Sequence, residues 1–364
     1  MVGGSRTFAT IYWCNGTAET MIESIPSPED LLEKFARQRI LVVGDVMLDW
    51  FIWGSVSRIS PEAPVPIVEV QRESRFPGGG ANVARNLTPF GGPIKLAGIF
   101  GSDPNGRLLR QTLNENGIGI DLCLEVEDFP TITKTRVVAR HQQVVRIDRE
   151  QCHHRLDDDL SSRFLDSLTR TLPDIDGLII EDYGKGLITR DLVAHLLTAA
   201  ADFQNLKITV DPKPGNPIPW KGVTTVKPNR SEAFEAAEIE DLHREQLLSP
   251  MDDAPLLKAG NALLKKWECQ HVLLTLGEQG MLLFSQTTDP VLVPARAREV
   301  FDVSGAGDTA IAVYTLGLCA GLDATSAAET ANLASSIVVG KLGTTPIEKE
   351  ELQQALEAEN PHPK

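Results

Sequence analysis

The sequence lacks any run of apolar residues long enough to cross a bilayer, which takes about 18. Its longest uncharged apolar stretch, near residues 309–322, is too short and adjoins a glycine-rich turn. The N-terminus offers only the short apolar run at residues 8–13, broken by Thr10, which makes a poor signal peptide. These absences exclude a membrane-spanning protein and predict a cytoplasmic one.

The sequence also has fewer basic than acidic residues. The chain has 35 Lys and Arg against 50 Asp and Glu, a formal net charge of −15. A non-specific nucleic-acid binder needs a basic footprint, so that class is excluded, although a locally basic pocket for a small anion is not. We therefore expect neither nucleic acid nor membrane among the partners.

Cysteines are few and scattered, without a Cys-x-x-Cys pair. The five are Cys14, Cys123, Cys152, Cys269 and Cys319. An odd, dispersed set is typical of reduced thiols in a cytosolic protein rather than a disulfide framework. His153 and His154 follow Cys152 in a charged linker and indicate a solvated loop rather than a metal site.

Apolar runs alternate with helical patterns along most of the chain. Strands are predicted at residues 40–44, 95–100, 177–181, 207–211, 223–227 and 271–276. Helices are predicted at 28–37, 81–89, 106–116, 160–172, 189–201, 231–239 and 256–267. The alternation predicts an α/β fold whose doubly wound, mostly parallel sheet is flanked by helices. We assign residues 40–364 to this domain and residues 1–39 to a partly disordered N-terminal extension.

Two segments depart from this alternation. Residues 49–71 and 131–149 have the pattern of strands joined by short turns, with no helix nearby. Strands from these two places can form a small sheet above the main domain, and we interpret it as a lid that excludes water. The adjacent apolar residues Trp50, Ile52 and Trp53 equally indicate a dimer surface, and one sheet can serve both uses.

Polar residues collect where the predicted strands end, which is the edge where ligands bind to such sheets. They are Asp45, Asp182, Asp211, Lys227, Asn229 and Thr275. The most informative motif is Asp-Val-Ser-Gly-Ala-Gly-Asp-Thr at 302–309, which leads directly into an apolar helix. Its small residues leave backbone N–H groups free at the positive end of the helix dipole. Asp308 beside this anion site suits phosphoryl transfer, although a simple helix N-cap would use the same residue types.

A second glycine-rich segment, at residues 76–84, lacks the Gly-Lys-Ser/Thr of a P-loop and the spacing of a dinucleotide fingerprint. Its consecutive glycines, Gly78 to Gly80, let a ligand approach the backbone closely. Asn82 and Asp45 would add acceptors for sugar hydroxyl groups. The segment therefore predicts a sugar site, with a flexible connector as the alternative.

Two further motifs suit a nucleotide. Asn229 and Glu232 lie three residues apart at a strand-to-helix junction, where Glu232 could hold Mg²⁺ through water while Asn229 contacts a phosphate. The alternative is a helix cap made by Ser231 and Glu235. Residues 275–280, Thr-Leu-Gly-Glu-Gln-Gly, can admit a nucleotide near the backbone and are equally suited to a hairpin turn.

Together these motifs resemble the ribokinase-like (PfkB) family of carbohydrate kinases, from about residue 40 to the C-terminus. The resemblance lies in residues 77–84, Asn229-x-x-Glu232 and residues 302–308. A narrower one, at residues 58–68, 131–136, 142–148 and 339–344, is to kinases of ADP-heptose and lipopolysaccharide core synthesis. Those enzymes phosphorylate the anomeric hydroxyl of D-glycero-β-D-manno-heptose 7-phosphate. Some are fused to a C-terminal nucleotidyltransferase, and because this chain ends at Lys364 we expect a free-standing kinase.

The resemblance implies ATP and Mg²⁺ as cofactors and a role for each matching residue. Asp308 would be the base that takes the proton from the sugar, and Gly305, Ala306 and Gly307 would offer N–H groups to the transferred phosphoryl. The residues along ATP and its metal would be Asn229, Glu232, Thr275, Gly277 and Asn332. The residues that hold the sugar would be Asp45, Gly78, Gly79 and Asn82.

The resemblance leaves three matters open. Val303 stands where many family members have Thr, which bears on a monovalent cation that some relatives bind nearby. Other PfkB substrates, such as ribose, fructose 1-phosphate or a keto-deoxy acid, are alternatives to the heptose. A catalytically silent sugar- or nucleotide-binding regulator on the same scaffold is the alternative from another class.

A phosphorylated sugar also requires a binding site for its phosphate group, and a dianion needs Lys or Arg partners. The second lid segment holds Lys134, Arg136, Arg140 and Arg146 within an acidic chain. Residues 134, 136 and 140 have the same parity, which predicts that they share one face of a strand and bind the substrate phosphate. The alternative is a solvated edge strand protected by its charges.

Overall fold

The structure is a computed structural model that describes residues 26–140, 142–150, 157–244, 248–296, 303–341 and 345–359. Its helices are α1 Pro28–Phe35, α2 Gly80–Leu87, α3 Pro104–Glu115, α4 Asp158–Thr171, α5 Arg190–Ala200, α6 Arg230–Ala237, α7 Ala254–Trp267, α8 Ala306–Cys319, α9 Ala324–Val338 and α10 Lys349–Glu359. Its strands are β1 Ile40–Gly44, β2 Val46–Ile59, β3 Pro66–Gly79, β4 Ile94–Ala97, β5 Ile99–Gly101, β6 Leu124–Val126, β7 Thr133–Ala139, β8 Gln142–Arg149, β9 Gly177–Glu181, β10 Lys207–Asp211, β11 Thr225–Val226, β12 His271–Thr275, β13 Met281–Ser285 and β14 Val291–Val293. Short 3₁₀ turns lie at Thr88–Phe90, Leu172–Asp174 and Gly277–Gln279.

The main sheet has eight strands in the order β14-β13-β12-β11-β10-β9-β1-β4. Neighbours from β12 to β4 pair parallel, whereas β13 and β14 pair antiparallel at one edge. This arrangement confirms the predicted doubly wound, mostly parallel sheet. Since the six parallel strands point the same way, their carboxyl ends form one edge, where the polar residues collect.

The core lies on both faces of this sheet. In β1 the side chains of Ile40 and Val42 belong to the core cluster that includes α1, α2, α8 and α9, while Leu41 and Val43 belong to the cluster on the other face, with α4, α5 and α7. All four are fully buried. Burial on both faces is why β1 reads as a continuous apolar run rather than an alternating one.

A second sheet, which we call the lid sheet, has the order β3-β2-β7-β8. It is built from the two segments in which the sequence predicted strands, but β2 and β3 are longer than expected, with 14 residues each. Strand β2 starts two residues after β1 ends, and β3 runs directly into α2. The lid sheet is therefore connected to the main sheet at the edge that carries the polar residues.

Some predictions fall outside the described residues. These include most of the N-terminal extension, Cys14, Cys152, the His153-His154 pair and Asp302. The helix predicted at residues 28–37 is present as α1. Among the residues that the structure describes, no helix is both long and apolar enough to cross a membrane.

Candidate active site

Two helices begin side by side at the polar edge, each after a glycine in the left-handed region. Gly79 (φ +62°) precedes α2, and Gly305 (φ +83°) precedes α8. The helices are joined by a hydrogen bond of 2.7 Å that the Thr309 hydroxyl donates to Asn86 Oδ1. The two glycine-rich motifs, more than 200 residues apart in sequence, thus form one site.

Asp308, in the first turn of α8, is held by donors from two other elements. Asn82 Nδ2 donates to Asp308 Oδ2 over 2.6 Å, and the Tyr183 hydroxyl donates to Asp308 Oδ1 over 3.0 Å. The N-cap residue of α8 is Gly305, which has no side chain to cap the helix, and the Ala306 N–H donates to the Val303 carbonyl over 3.3 Å. The carboxylate is therefore fixed at the start of α8, beside the positive end of the helix dipole.

Three carboxylates converge here with one lysine. Glu181, Asp211 and Asp308 each bring an oxygen within 4.8 Å of the others, and Lys227 Nζ lies 2.7 Å from Asp211 Oδ2. Glu181 is fully buried, and neither of its oxygens has a hydrogen-bond partner among the described residues. The same lysine nitrogen would lie 3.5 Å from a Cβ placed on Gly307, so it points toward the α8 N-terminus.

This clustering shifts the protonation of the carboxylates. Burial, reinforced by the charge of Asp211, raises the pKa of Asp308 to about 6, against the hydrogen bonds from Asn82 and Tyr183 and the charge of Lys227. Burial together with Asp211 and Asp308 raises the pKa of Glu181 well above its usual range. A base with a pKa close to neutrality suits proton transfer at physiological pH.

A cleft of about 790 Å³ opens from Asp211 and Gly307. It is lined by all five residues that the resemblance assigned to ATP: Asn229, Glu232, Thr275, Gly277 and Asn332. The 3₁₀ turn at Gly277–Gln279 connects the antiparallel strands β12 and β13, so residues 275–280 form a hairpin turn and also line the cleft. The Asn332 amide donates to the Pro294 carbonyl over 2.7 Å, which holds this wall in place.

Helix α6 does begin with a cap, but other residues form it than the Ser231 and Glu235 of the alternative interpretation. Asn229 Oδ1 accepts from Glu232 N over 3.0 Å, and Glu232 Oε2 accepts from Asn229 N over 2.9 Å. The capping box is therefore Asn229 with Glu232, and Ser231 and Glu235 do not form it. The other Glu232 oxygen, Oε1, lies 4.0 Å from Lys213 Nζ at the cleft.

On the sugar side, Asn82 is buried, and its Oδ1 has no hydrogen-bond partner among the described residues. Gly78 lies against Asp49, because a Cβ on Gly78 would be 2.4 Å from Asp49 Oδ2. Asp45 accepts backbone N–H bonds from Tyr183, Lys185 and Leu187, at 3.0, 3.0 and 3.3 Å. Asp45 thus holds the loop after β9, and its contact with a sugar stays a prediction.

The basic residues of the lid sheet separate into two groups. Lys134 and Arg136 lie on β7, and Arg136 forms an ion pair with Asp49. Arg140 was wrongly placed on their face, because β7 ends at Ala139 and Arg140 is an exposed turn residue at φ +57°. Sequence parity holds only while the backbone stays extended.

The sequence alone assigned no role to Asp49, Glu181 or Tyr183. It marked Lys227 only as a polar residue at the end of a strand. One signal was available for Asp49, an acidic residue within an otherwise apolar strand. Glu181 and Tyr183 belong to Glu-Asp-Tyr-Gly-Lys-Gly at the end of β9, where a polar cluster with glycines follows a buried strand. Nothing local reveals that the Tyr183 hydroxyl reaches Asp308, 125 residues away.

Comparison with known proteins identifies the family of this chain. Residues 37–351 match the family model described as pfkB family carbohydrate kinase. Curated relatives include the Bifunctional protein HldE of Magnetococcus marinus, 40% identical over 88% of this chain, and that of Koribacter versatilis, 41% identical over 88%. The chain spans 64% and 63% of the length of these two relatives.

Solved structures with the same fold include the ribokinase of Arabidopsis thaliana complexed with ribose and ATP, at a TM-score of 0.66 and 20% identity. Phosphofructokinase-2 from Escherichia coli in complex with substrates and products has a TM-score of 0.70 at 19% identity. Each comparison covers 88% of this chain and 99% of the other. The ribokinase-like fold and the family match over residues 37–351 together show that the chain belongs to the PfkB family of carbohydrate kinases.

Proposed function

We propose that this protein transfers the γ-phosphoryl group of ATP to the anomeric hydroxyl of D-glycero-β-D-manno-heptose 7-phosphate, giving the 1,7-bisphosphate. One observation carries the kinase assignment: Asp308 is fixed by Asn82 and Tyr183 in the first turn of α8. This carboxylate lies between the glycine-rich sugar segment and the cleft that receives ATP. A base placed there can act on a hydroxyl group that faces the phosphoryl donor.

In the reaction, Asp308 takes the proton of the anomeric hydroxyl as the sugar oxygen forms a bond to the γ-phosphorus. The bond from that phosphorus to the bridging oxygen breaks, and ADP leaves with the electron pair. Asn82 keeps Asp308 oriented through its Nδ2, while its free Oδ1 can accept a hydrogen bond from a sugar hydroxyl. Asp49 beside Gly78 is a second acceptor on this side.

Negative charge that develops on the phosphoryl oxygens meets two stabilising groups. The first turn of α8 offers N–H groups at the positive end of its dipole. Lys227 adds a full positive charge beside Gly307, where it is held by Asp211. Phosphoryl transfer depends mostly on such positioning and charge stabilisation.

The carboxylates fit the divalent cation that a kinase of this family uses. Glu181 is buried with both oxygens unpartnered in the described part of the chain, and Asp211 lies beside it, a donor set that suits Mg²⁺. Glu181 and Asp211 would hold the ion, with Glu232 reached through water. When bound, Mg²⁺ neutralises charge on the ATP phosphates.

The choice of heptose 7-phosphate is supported by the sequence resemblance at residues 58–68, 131–136 and 142–148 and by the 40% identity to proteins named HldE. It places the chain in ADP-heptose and lipopolysaccharide core synthesis. ATP as the phosphoryl donor places the reaction in the cytoplasm. Assays with and without K⁺ decide whether a monovalent cation takes part.

We also propose that the lid sheet covers the sugar and forms a homodimer through its opposite face. In-register neighbours share a face, and two such rows cross all four strands of the lid sheet: Arg75, Trp50, Thr135 and Ile147, then Glu73, Ile52, Val137 and Val145. These rows lie on the face opposite Lys134 and Arg136. The face is charged on β3, where Arg75 pairs with Glu73, and mostly apolar on the other three strands, and that apolar part suits a second copy of the chain.

A substrate panel tests the proposed function. ADP release is measured with heptose 7-phosphate, ribose, fructose 1-phosphate and a keto-deoxy acid, and we expect the highest kcat/KM for the heptose. Asp308→Asn should lower kcat by roughly 10²–10⁴-fold while the affinity for ATP, measured by calorimetry, stays the same. Near-normal turnover by Asp308→Asn would contradict the base assignment, and a preference for another sugar would contradict the substrate.

A further inference from the structure

The face of the lid sheet that looks toward the active site carries Lys134 and Arg136 beside Asp49. Lys134 is the in-register neighbour of Asp49, and Arg136 both pairs with Asp49 and lies 5.1 Å over the ring of Phe51. Asp49 in turn touches the glycine-rich segment at Gly78. Lys134 and Arg136 therefore face the sugar side of the site rather than the outer face of the lid sheet.

A lysine of the main domain faces this surface. Lys185 lies in the loop after β9, two residues beyond Tyr183, whose hydroxyl contacts Asp308. Its backbone N–H is fixed by Asp45 Oδ2 over 3.0 Å. Lys185 thus belongs to a loop that is anchored at both the sugar side and the catalytic carboxylate.

The two lysines converge on one carboxylate oxygen. Glu150 Oε2 lies 2.8 Å from Lys185 Nζ and 3.6 Å from Lys134 Nζ, and each lysine side chain is only 15% exposed. The hydrogen bond from Lys185 is the main cause that lowers the pKa of Glu150, and the charge of Lys134 adds to it. The position of this oxygen is therefore one of positive potential.

We propose that Lys134 and Lys185 bind the terminal phosphate of the sugar substrate, in the place that the Glu150 carboxylate holds in this structure. Two ammonium groups from two different elements, both mostly buried, can each donate to a different oxygen of a phosphate dianion. A dianion attracts them more strongly than the single charge of Glu150 does. This inference rests on the proposed function, because it assumes a phosphorylated sugar.

The neighbouring charges leave both lysines available for this role. Asp148, the other partner of Lys134, already receives two hydrogen bonds from Arg146, each of 2.9 Å. Arg136 is engaged by Asp49, and Arg140 is exposed in a turn. Lys185, which sequence parity could not have suggested, thus replaces Arg140 in the proposed phosphate site.

The test compares Lys134→Met and Lys185→Met with a matched control, Lys221→Met, whose lysine is 72% exposed and pairs with Glu268. Each site variant should raise the KM for heptose 7-phosphate by roughly tenfold or more, the usual effect of losing one charge-assisted hydrogen bond. The KM for ATP and the activity on unphosphorylated heptose should change less than about twofold, and Lys221→Met should change nothing. Lys185→Arg should recover part of the affinity, and Glu150→Gln should lower the KM for the sugar phosphate.

Calorimetry measures the binding of heptose 7-phosphate and of heptose in the presence of a non-hydrolysable ATP analogue. It thus tests the preference for the phosphorylated sugar without turnover. An equal loss for both sugars would mean that the lysines only hold the lid sheet, and no loss would mean that the phosphate binds elsewhere. Either result overturns the inference. A wild-type protein that binds the sugar phosphate through these lysines but transfers no phosphoryl group would contradict the proposed function alone. Thermal unfolding of each variant shows that the fold is retained.

Discussion

At the scale of single residues, the pKa of Asp308 sets the pH dependence of the proposed reaction. Burial and the nearby Asp211 raise this pKa to about 6, and the protonated acid cannot accept the proton of the sugar hydroxyl. We therefore expect kcat/KM to be level above about pH 7 and to fall tenfold per pH unit well below 6. Rates measured from pH 4 to 8 with saturating Mg²⁺ check this, since a cation held by the neighbouring Asp211 would move the limb to lower pH. An acidic limb that persists in the residual activity of Asp308→Asn would exclude Asp308 as the base.

Tyr183 gives a second prediction at this scale. Its hydroxyl stabilises the charged form of Asp308, so Tyr183→Phe should raise the pKa of Asp308 and move the acidic limb to higher pH. The loss of kcat/KM should be about tenfold at pH 6 and much smaller at pH 8. Tyr314→Phe is the matched control, because the Tyr314 hydroxyl bonds Thr225 in the core. Equal losses at both pH values would show that Tyr183 acts on the fold rather than on the base.

A feature of the site could be predicted from the sequence only when the residues that form it are close together in the chain. The turn at Gly305 and the acid three residues later sit within one motif, so the anion site and its carboxylate were predictable. The hydrogen bond from Asn82 spans 226 residues and that from Tyr183 spans 125, and only the packing of α2, β9 and α8 brings them together. Long-range partners of this kind leave no periodic trace in a single sequence.

At the scale of elements, predictability followed the strength of the pattern. Strand β1 and helices such as α7 were found because a fully apolar run or a clear 3.6-residue period identifies them. Strands β6 and β14, with three residues each, are too short to show a period. Helix α9 was missed because its small residues, rich in Ala, Ser and Thr, give little contrast between its faces.

The turn from β5 into α3 carries a stability prediction. A Cβ on Gly106 would lie 1.8 Å from the Gly101 carbonyl oxygen, which is a fixed backbone atom. Gly106→Ala must therefore displace α3 from β5, and we expect a loss of about 1–3 kcal/mol in the free energy of unfolding. Urea unfolding measures this against Gly215→Ala, where a Cβ meets nothing within 4 Å. An unchanged midpoint for Gly106→Ala would show that the helix can shift without cost.

At the scale of the whole molecule, the lid sheet has two faces with different chemistry. The face toward the main sheet carries Asp49, Lys134 and Arg136, and its charges are paired around the sugar side of the site. The opposite face carries rows that begin with Arg75 and Glu73 on β3 and end with apolar residues on β8, where Val145 is 46% and Ile147 is 56% exposed. A single sheet can thus bind substrate on one side and a second copy of the chain on the other.

The proposed homodimer predicts a change in mass when the apolar face is charged. Val145→Glu with Ile147→Glu places two carboxylates within the proposed interface, where burying an unpaired charge is strongly unfavourable. Sedimentation equilibrium should give a dimer for the wild type and a monomer for this variant, with little change in thermal stability because both side chains are exposed in one copy. Leu242→Glu, a residue 62% exposed outside the lid sheet, should remain a dimer. A monomeric wild type, or a double variant that keeps its dimer mass, would show that this face is not the interface.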